Sequence, residues 1–344
     1  MLSENTDNEV QFIKRQFLCC VPVKDISWNN FFSNATWSRQ ANFFSNATWS
    51  RQAVLVANTV ELDVVKEYPI KINYQVAFLK YVISRLEKLT DSDVNDDVYD
   101  AFGRLMSLVD CERYYKHYNF DFDGRNRNII LEENPNIISE GTTGLCSWQA
   151  ALGLSEWCLQ NRSLLTNKTI LELGSGVGLT GLVVALNCEP KQYNFTDCHT
   201  KVLETLRDNI SLNVNRSDNA DNICELNVIN LSWEDVQTRS EDFKDVEIVL
   251  AADVVYDSSL FPCLRDALSC FLSNERCSEV YFCCTERNPR TLTDFLEGLG
   301  KSGLNYEELS LPEQDHLCWS TEVPIRLFRV RGNAAVTIKS AIKR

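Results

Sequence analysis

The densest chemical information in the chain lies in Thr169-Ile-Leu-Glu-Leu-Gly-Ser-Gly-Val-Gly-Leu-Thr-Gly181. An apolar run, Ile170 to Leu173, stops at three glycines spaced two apart, Gly174, Gly176 and Gly178. An apolar helical pattern, Leu179 to Leu186, follows at once. A buried parallel strand turns into a helix around a nucleotide-like ligand in this way. Glycine reaches positive φ and lets a ligand lie on bare backbone, and a helix start offers N–H groups that have no intrahelical partner. Asp197 follows Gly174 by 23 residues, the distance at which an acidic side chain accepts hydrogen bonds from ribose hydroxyls. Its alternative is to cap a helix from Lys201 onward, and one side chain can do both. Cys198 and His199 read as packing and turn residues. Trp233, in Leu231-Ser-Trp-Glu234, either fills the core or lays its indole over a flat base, a contact worth about 1–3 kcal/mol. Asp253-Val-Val-Tyr256 follows the apolar run Val246 to Ala252. A carboxylate there can accept from, or pair with, an incoming amine, and an aromatic face can hold a cationic or methylated nitrogen. The plainer alternative is a capping Asp and a packed Tyr.

These residues need a scaffold that brings them to one place, and the hydrophobic pattern supplies one. From Ile129 onward short apolar runs alternate with amphipathic stretches. Strands are expected at 169–173, 192–196, 224–230, 246–252, 280–285, 304–309 and 325–330. Helices are expected at 179–186, 201–213, 260–272 and 292–299. Such alternation implies a parallel sheet covered by helices on both faces. Ligands of such sheets bind beyond the carboxyl ends of the strands, where Gly174, Asp197, Trp233 and Asp253 all fall. Upstream, Val76, Leu79, Val82 and Leu86 have helical spacing within Tyr74–Leu89, and Val98–Val109 repeats it after a cap region at Asp91-Ser-Asp. Residues 1–115 therefore read as a small helical module, Tyr118–Arg127 as polar linking sequence, 116–335 as the α/β domain and 336–344 as a tail. Residues 30–41 and 42–53 are identical. Two copies of twelve residues make no solenoid, so the repeat reads as a recent duplication outside the working fold; an aromatic platform of Trp37 and Trp49 is its functional alternative.

Composition narrows the class. The 344 residues fit about two domains. A net charge of −14 disfavours non-specific binding to phosphate backbones. Fourteen cysteines at irregular spacings, with no C-x-x-C and only three histidines, point to free thiols rather than a zinc site. The polar N-terminus is unlike a signal peptide, and no apolar run reaches the roughly 18 residues of a membrane span. The expectation is a cytoplasmic protein, a monomer, with no metal and no membrane or direct nucleic-acid partner.

Gly174-Ser-Gly-Val-Gly178, with Glu172 before it, departs from the dinucleotide pattern G-x-G-x-x-G. It resembles the first motif of class I, seven-stranded methyltransferases, which bind S-adenosylmethionine. Gly141-Thr-Thr-Gly-Leu-Cys-Ser-Trp148, Trp233 and Asp253-Val-Val-Tyr256 are similar to the group that methylates lysine in non-histone proteins. Within that group, Ile138-Ser-Glu-Gly-Thr-Thr-Gly144, Thr196-Asp-Cys-His199 and Glu286-Arg-Asn-Pro289 are most similar to the enzymes acting on elongation factor 2. The likeness covers about residues 130–330 well and 10–115 loosely. It implies a seven-stranded Rossmann-like sheet, S-adenosylmethionine as cofactor and a protein substrate, elongation factor 2. Carried over by position, it implies that Trp148, Gly174, Ser175, Gly176, Asp197, Trp233 and Ala252 contact the cofactor. Asp253 and Tyr256 would border the lysine as catalytic residues, Asp253 orienting the amine and Tyr256 shaping its channel. Gln149 and Ser232 depart from acidic residues usual in the group. Three rivals stand beside this reading: an NAD-dependent oxidoreductase, a nucleic-acid or small-molecule amino-methyltransferase, and a catalytically silent binding module.

Overall fold

The computed structural model describes residues 2–28, 31–32, 44–88, 93–109, 113–134, 136, 139, 141–216 and 223–332, the backbone alone within 2–7 and 44–50. The expected tail at 336–344 and Trp37 lie outside the described residues, as does the side chain of Trp49. The chain divides into two compact units, Met1–Phe120 and Asp121–Arg344.

The first unit holds helices α1 (Leu2–Leu18), α2 (Phe44–Ala57), α3 (Asp63–Glu67), α4 (Ile72–Leu86) and α5 (Asp96–Met106). The periodic stripe of α4 buries Phe78, Leu79, Val82 and Leu86 against Phe17, Trp28 and Leu55. The cap of α5 is Asn95, whose side chain accepts from Asp97 N, rather than Asp91-Ser-Asp, of which Asp91 and Ser92 lie outside the described residues. Asp96 and Asp97 in its first turn suit the positive end of the helix dipole.

The two copies of the duplication contribute different parts. The first buries Phe31 and Phe32 beside Trp28. The second forms the start of α2: its Arg51 pairs with Glu9 and lies 5.3 Å from the Phe31 ring, and its buried Gln52 accepts from Asn95 N at 2.8 Å. Both deletions, of 30–41 or of 42–53, give one and the same chain, which keeps every residue type that the core takes from either copy. That chain is expected to unfold within about 5 °C of the parent in calorimetry; a much larger fall would show that the repeat is part of the working fold.

The division between units falls in β1 (Tyr115–Phe122), which forms a two-stranded sheet with β2 (Arg125–Glu132) around positive-φ Asp123 and Gly124. The expected linking sequence at 118–127 is therefore a hairpin. Alternation of Tyr118, Phe120 and Phe122 ahead of Asp123-Gly124 carries that signal.

The second unit continues with α6 (Gln149–Gln160), α7 (Arg162–Leu165), β3 (Thr169–Leu173), α8 (Leu179–Asn187), β4 (Gln192–Asp197), α9 (Thr200–Val214), β5 (Glu225–Asn230) and β6 (Ile248–Ala252). Then come α10 (Phe261–Leu272), β7 (Glu279–Thr285), α11 (Pro289–Lys301), β8 (Leu304–Leu309) and β9 (Ile325–Gly332). The seven-stranded sheet has the order β5-β4-β3-β6-β7-β9-β8. Five strands are parallel as expected, whereas β9 runs antiparallel to both β7 and β8. Antiparallel neighbours need no crossover helix, and the connection from 310 to 324 contains none. Buried Glu156 of α6 secures that connection by accepting from His316 N at 3.0 Å and Leu317 N at 2.8 Å.

Period-two alternation gives the sheet two covered faces. In β7, Val280, Phe282 and Cys284 pack with Leu264, Phe271 and Phe295 of α10 and α11. Tyr281 faces the other way and meets Trp157 of α6 at 4.4 Å between ring centroids. On that second face α8 comes so close to β4 that a Cβ on Gly181 would stand 2.0 Å from the Phe195 ring. Among the described residues no helix is long and apolar enough to cross a membrane.

Candidate functional site

The strand order leaves β3 between β4 and β6, so their carboxyl ends open on a switch point, where doubly wound sheets hold ligands. A cavity of about 420 Å³ lies there. Trp148, Gly174, Ser175, Gly176, Asp197, Trp233, Ala252, Asp253 and Tyr256 all line it. So does Glu172, the acid before the loop, and so do Thr143 and Thr180, which no motif assigns to the site.

The glycine loop forms the floor. Gly174, Gly176 and Gly178 have φ of 66°, 54° and 96°, values that side chains with a Cβ resist. A Cβ on Gly176 would lie 3.1 Å from the Gly144 carbonyl oxygen, so this approach requires bare backbone. The loop is tied to β4: Ser175 N donates to Thr196 O at 2.8 Å, and Thr196 N donates to Ser175 Oγ at 3.1 Å.

Two carboxyl groups stand around this floor. Glu172 is 1% exposed. Burial pushes its carboxyl up to about 7, against the opposing hydrogen bonds of Ser175, Tyr193 and Thr180. Asp197 accepts from Gly176 N at 3.3 Å and from His199 N at 3.1 Å. Its carboxyl is also raised, first by burial. The helix cap of α9 is His199 and not Asp197, so Asp197 orders the turn before the helix and keeps its oxygens at the cavity. Trp233 reaches within 3.8 Å of the place a Gly174 Cβ would take.

The far rim is built by Asp253, Trp148 and Tyr256, with Arg287 tied to Asp253 from outside the lining. Asp253 directly follows β6 in the left-handed region, φ 57°, and its side chain is 3% exposed. Its carboxylate accepts from Thr285 N and Thr285 Oγ1, each at 3.0 Å. It also takes a fork from Arg287, Nη1 at 3.2 Å and Nη2 at 2.8 Å. Four donors engage all the lone-pair positions of a carboxylate. Asp253 thus keeps its expected place at the cavity, with its oxygens already engaged by Thr285 and Arg287. The Arg287 guanidinium also lies over Trp148 at 4.6 Å. Trp148 Nε1 donates to Thr143 O at 3.1 Å, and Tyr256 lines the same cavity as both. Arg287 stands in Glu286-Arg-Asn-Pro289, but its tie to Asp253 spans 34 residues, which no local pattern reports.

Comparison with known proteins decides the class. A family described as lysine methyltransferase matches residues 129–302. Protein-lysine N-methyltransferase EEF2KMT of Homo sapiens is 32% identical over 331 residues, 91% of this chain and 96% of that protein. The chain belongs to the lysine methyltransferase family. Other relatives are EEF2KMT of Mus musculus, 32% identical over 89% of this chain and 90% of that protein, and EFM3 of Saccharomyces cerevisiae, 28% identical over 65% and 68%. Membership makes S-adenosylmethionine the methyl donor, which excludes the oxidoreductase rival. The cavity fits that group: its floor is bare backbone at Gly176, and its walls carry carboxyls at Glu172 and Asp197, suited to an ammonium and to ribose hydroxyls.

Proposed function

We propose that this protein transfers a methyl group from S-adenosylmethionine to a lysine of elongation factor 2, with the nine cavity residues in the roles the resemblance implies. The single observation that carries the site assignment is that all nine line one cavity at the carboxyl ends of β3, β4 and β6. Gly174, Ser175 and Gly176 would hold the amino-acid end of the cofactor, Asp197 its ribose and Trp233 its base, with Ala252 a further contact. Trp148 would contact it from the side of the helix start. When bound, the cofactor supplies an electrophilic methyl on a sulfonium. The protein's own residues have to deliver a neutral amine, since free lysine holds its proton up to about pH 10.4. A mouth walled by Trp148 and Tyr256 disfavours the ammonium through desolvation, and holding the amine in line makes proximity the main source of rate.

Elongation factor 2 as acceptor is supported by the motifs around Ile138, Thr196 and Glu286 and by relatives whose name is EEF2KMT. A large folded acceptor suits a chain with a separate helical unit, because one lysine offers little to recognise. The cytoplasm as location is supported by the thiol content and the acidic charge. Incubation with radiolabelled cofactor and cell lysate tests the acceptor. Mass spectrometry of the labelled band is expected to return elongation factor 2; a different protein would overturn the acceptor, and labelled RNA would overturn the reading as a whole.

A further inference from the structure

The pairing of Asp253 with Arg287 raises a chemical question that membership of the family does not answer. A bare carboxylate at the mouth would hold the arriving lysine as its ammonium, the form that cannot take a methyl. Opposite charges within about 4–6 Å favour the charged form by one to three pH units. Asp253 is nevertheless present, buried and fixed by Thr285. The guanidinium forked onto it brings the pair to zero net charge. Its face lies over Trp148, whose indole is held by Thr143. One chain of contacts thus runs from Asp253 through Arg287 and Trp148 to Thr143, and Tyr256 lines the same cavity.

We propose that Arg287 is a positioning residue that cancels the charge of Asp253, so that the acceptor lysine sits at the mouth as a neutral amine. Arg287 does not line the cavity itself and acts through Asp253 and Trp148. This rests on the reading that Asp253 and Tyr256 border the lysine.

The other charged and titratable groups facing the pair come from every neighbouring element. Cys283, Cys284 and Glu286 come from β7 and its end, and Arg326 of β9 is tied to Glu286 and Glu308. Asp197, Cys198 and His199 come from the end of β4, with Glu172, Glu234, Asp257, Cys146 and Cys263 around the cavity and its rim. Burial raises the Tyr256 hydroxyl and the Cys283 thiol and pushes Cys284 up to about 12. All of these are common to the variants below, so differences among the variants report the pair.

The test is the pH dependence of single-turnover methyl transfer to the protein that the wild type labels in lysate, for wild type, Arg287→Gln, Asp253→Asn and the double variant. The acid limb is expected at the lowest pH for Asp253→Asn, which keeps only the cation. Wild type and the double variant should share an intermediate position, since both are neutral. Arg287→Gln should be highest, displaced by about one pH unit or more. At pH 7.5 that variant should transfer roughly 10-fold more slowly and approach wild type near pH 10. Yet it should bind the acceptor more tightly in titration without cofactor, because it holds the ammonium. Lost packing would slow transfer equally at every pH and weaken binding. Arg287→Lys, which keeps the charge and loses the fork, should retain the wild-type limb. If Arg287→Gln does not fold, the double variant carries no unpaired buried charge, and its limb must still lie above that of Asp253→Asn. A limb that moves with Asp253→Asn and not with Arg287→Gln overturns the role of Arg287. A limb that moves with neither overturns the placement of Asp253 at the lysine as well, and a labelled band other than elongation factor 2 overturns only the acceptor.

Discussion

Replacing Asp197 by alanine is expected to raise the dissociation constant for S-adenosylmethionine about 100-fold in isothermal titration. A carboxylate that accepts from two ribose hydroxyls makes charge-assisted bonds, each worth about 1.5–3 kcal/mol. Losing them costs about 3 kcal/mol after water takes up part of the hydroxyls' demand, which is two orders of magnitude in affinity. Asp197 has a second task that must be separated from the first. It orders the turn into α9 by accepting from Gly176 N and His199 N, a contribution of about 1 kcal/mol by analogy with helix caps. The two donors bond different oxygens, so Asp197→Asn keeps an acceptor for only one of them and drops the charge. It should recover part of the thermal stability lost in the alanine variant and little of the affinity. An affinity unchanged by either substitution would reduce Asp197 to a turn residue, the alternative its sequence position left open.

The residues at strand ends were legible because their evidence is local. Three glycines after an apolar run, an acid 23 residues on and an acid–aromatic pair after another run each announce a strand end. Strand ends of a parallel sheet share one edge, so finding nine residues around one cavity follows from topology. What escaped notice was built by long-range pairing. The fork of Arg287 on Asp253 spans 34 residues, and the hold of Glu156 on Leu317 N spans 161. Neither leaves a period or a motif. The antiparallel β9 escaped for a related reason: Ile325–Gly332 is as apolar in alternation as a parallel edge strand, and direction is fixed by the helix-free connection before it. The hairpin at 115–132 had a local signal that polar composition masked, since His117, Asn119 and Asp121 fill its alternate positions.

Glu172 supplies the largest expected effect on stability, and its sign can be worked out. Its carboxyl in the folded protein is held near 7, above its ordinary value of 4.5, chiefly by burial. An acid raised in this way contributes stability that is fully present below about pH 4.5 and is lost as pH rises through about 7. Without cofactor, the protein should therefore lose on the order of 3 kcal/mol between pH 5 and pH 8 from this group alone. Glu172→Gln keeps an oxygen for the Tyr193 hydroxyl, which donates to Glu172 Oε2 at 3.1 Å, and removes the charge. Thermal unfolding of the variant should show a midpoint higher than wild type by roughly 5–10 °C at pH 8 and equal to it at pH 5. Parallel curves across that range would show that Glu172 is not strained by its burial. Cofactor binding should move the opposite way. A cationic ligand beside Glu172 favours its ionised form, so wild-type affinity should weaken as pH falls through about 7, whereas the Gln variant binds weakly with no such slope. Stability is then traded at β3 for a carboxylate that the ligand's charge relieves. The trade explains why an acid stands at the second-last position of a wholly buried strand.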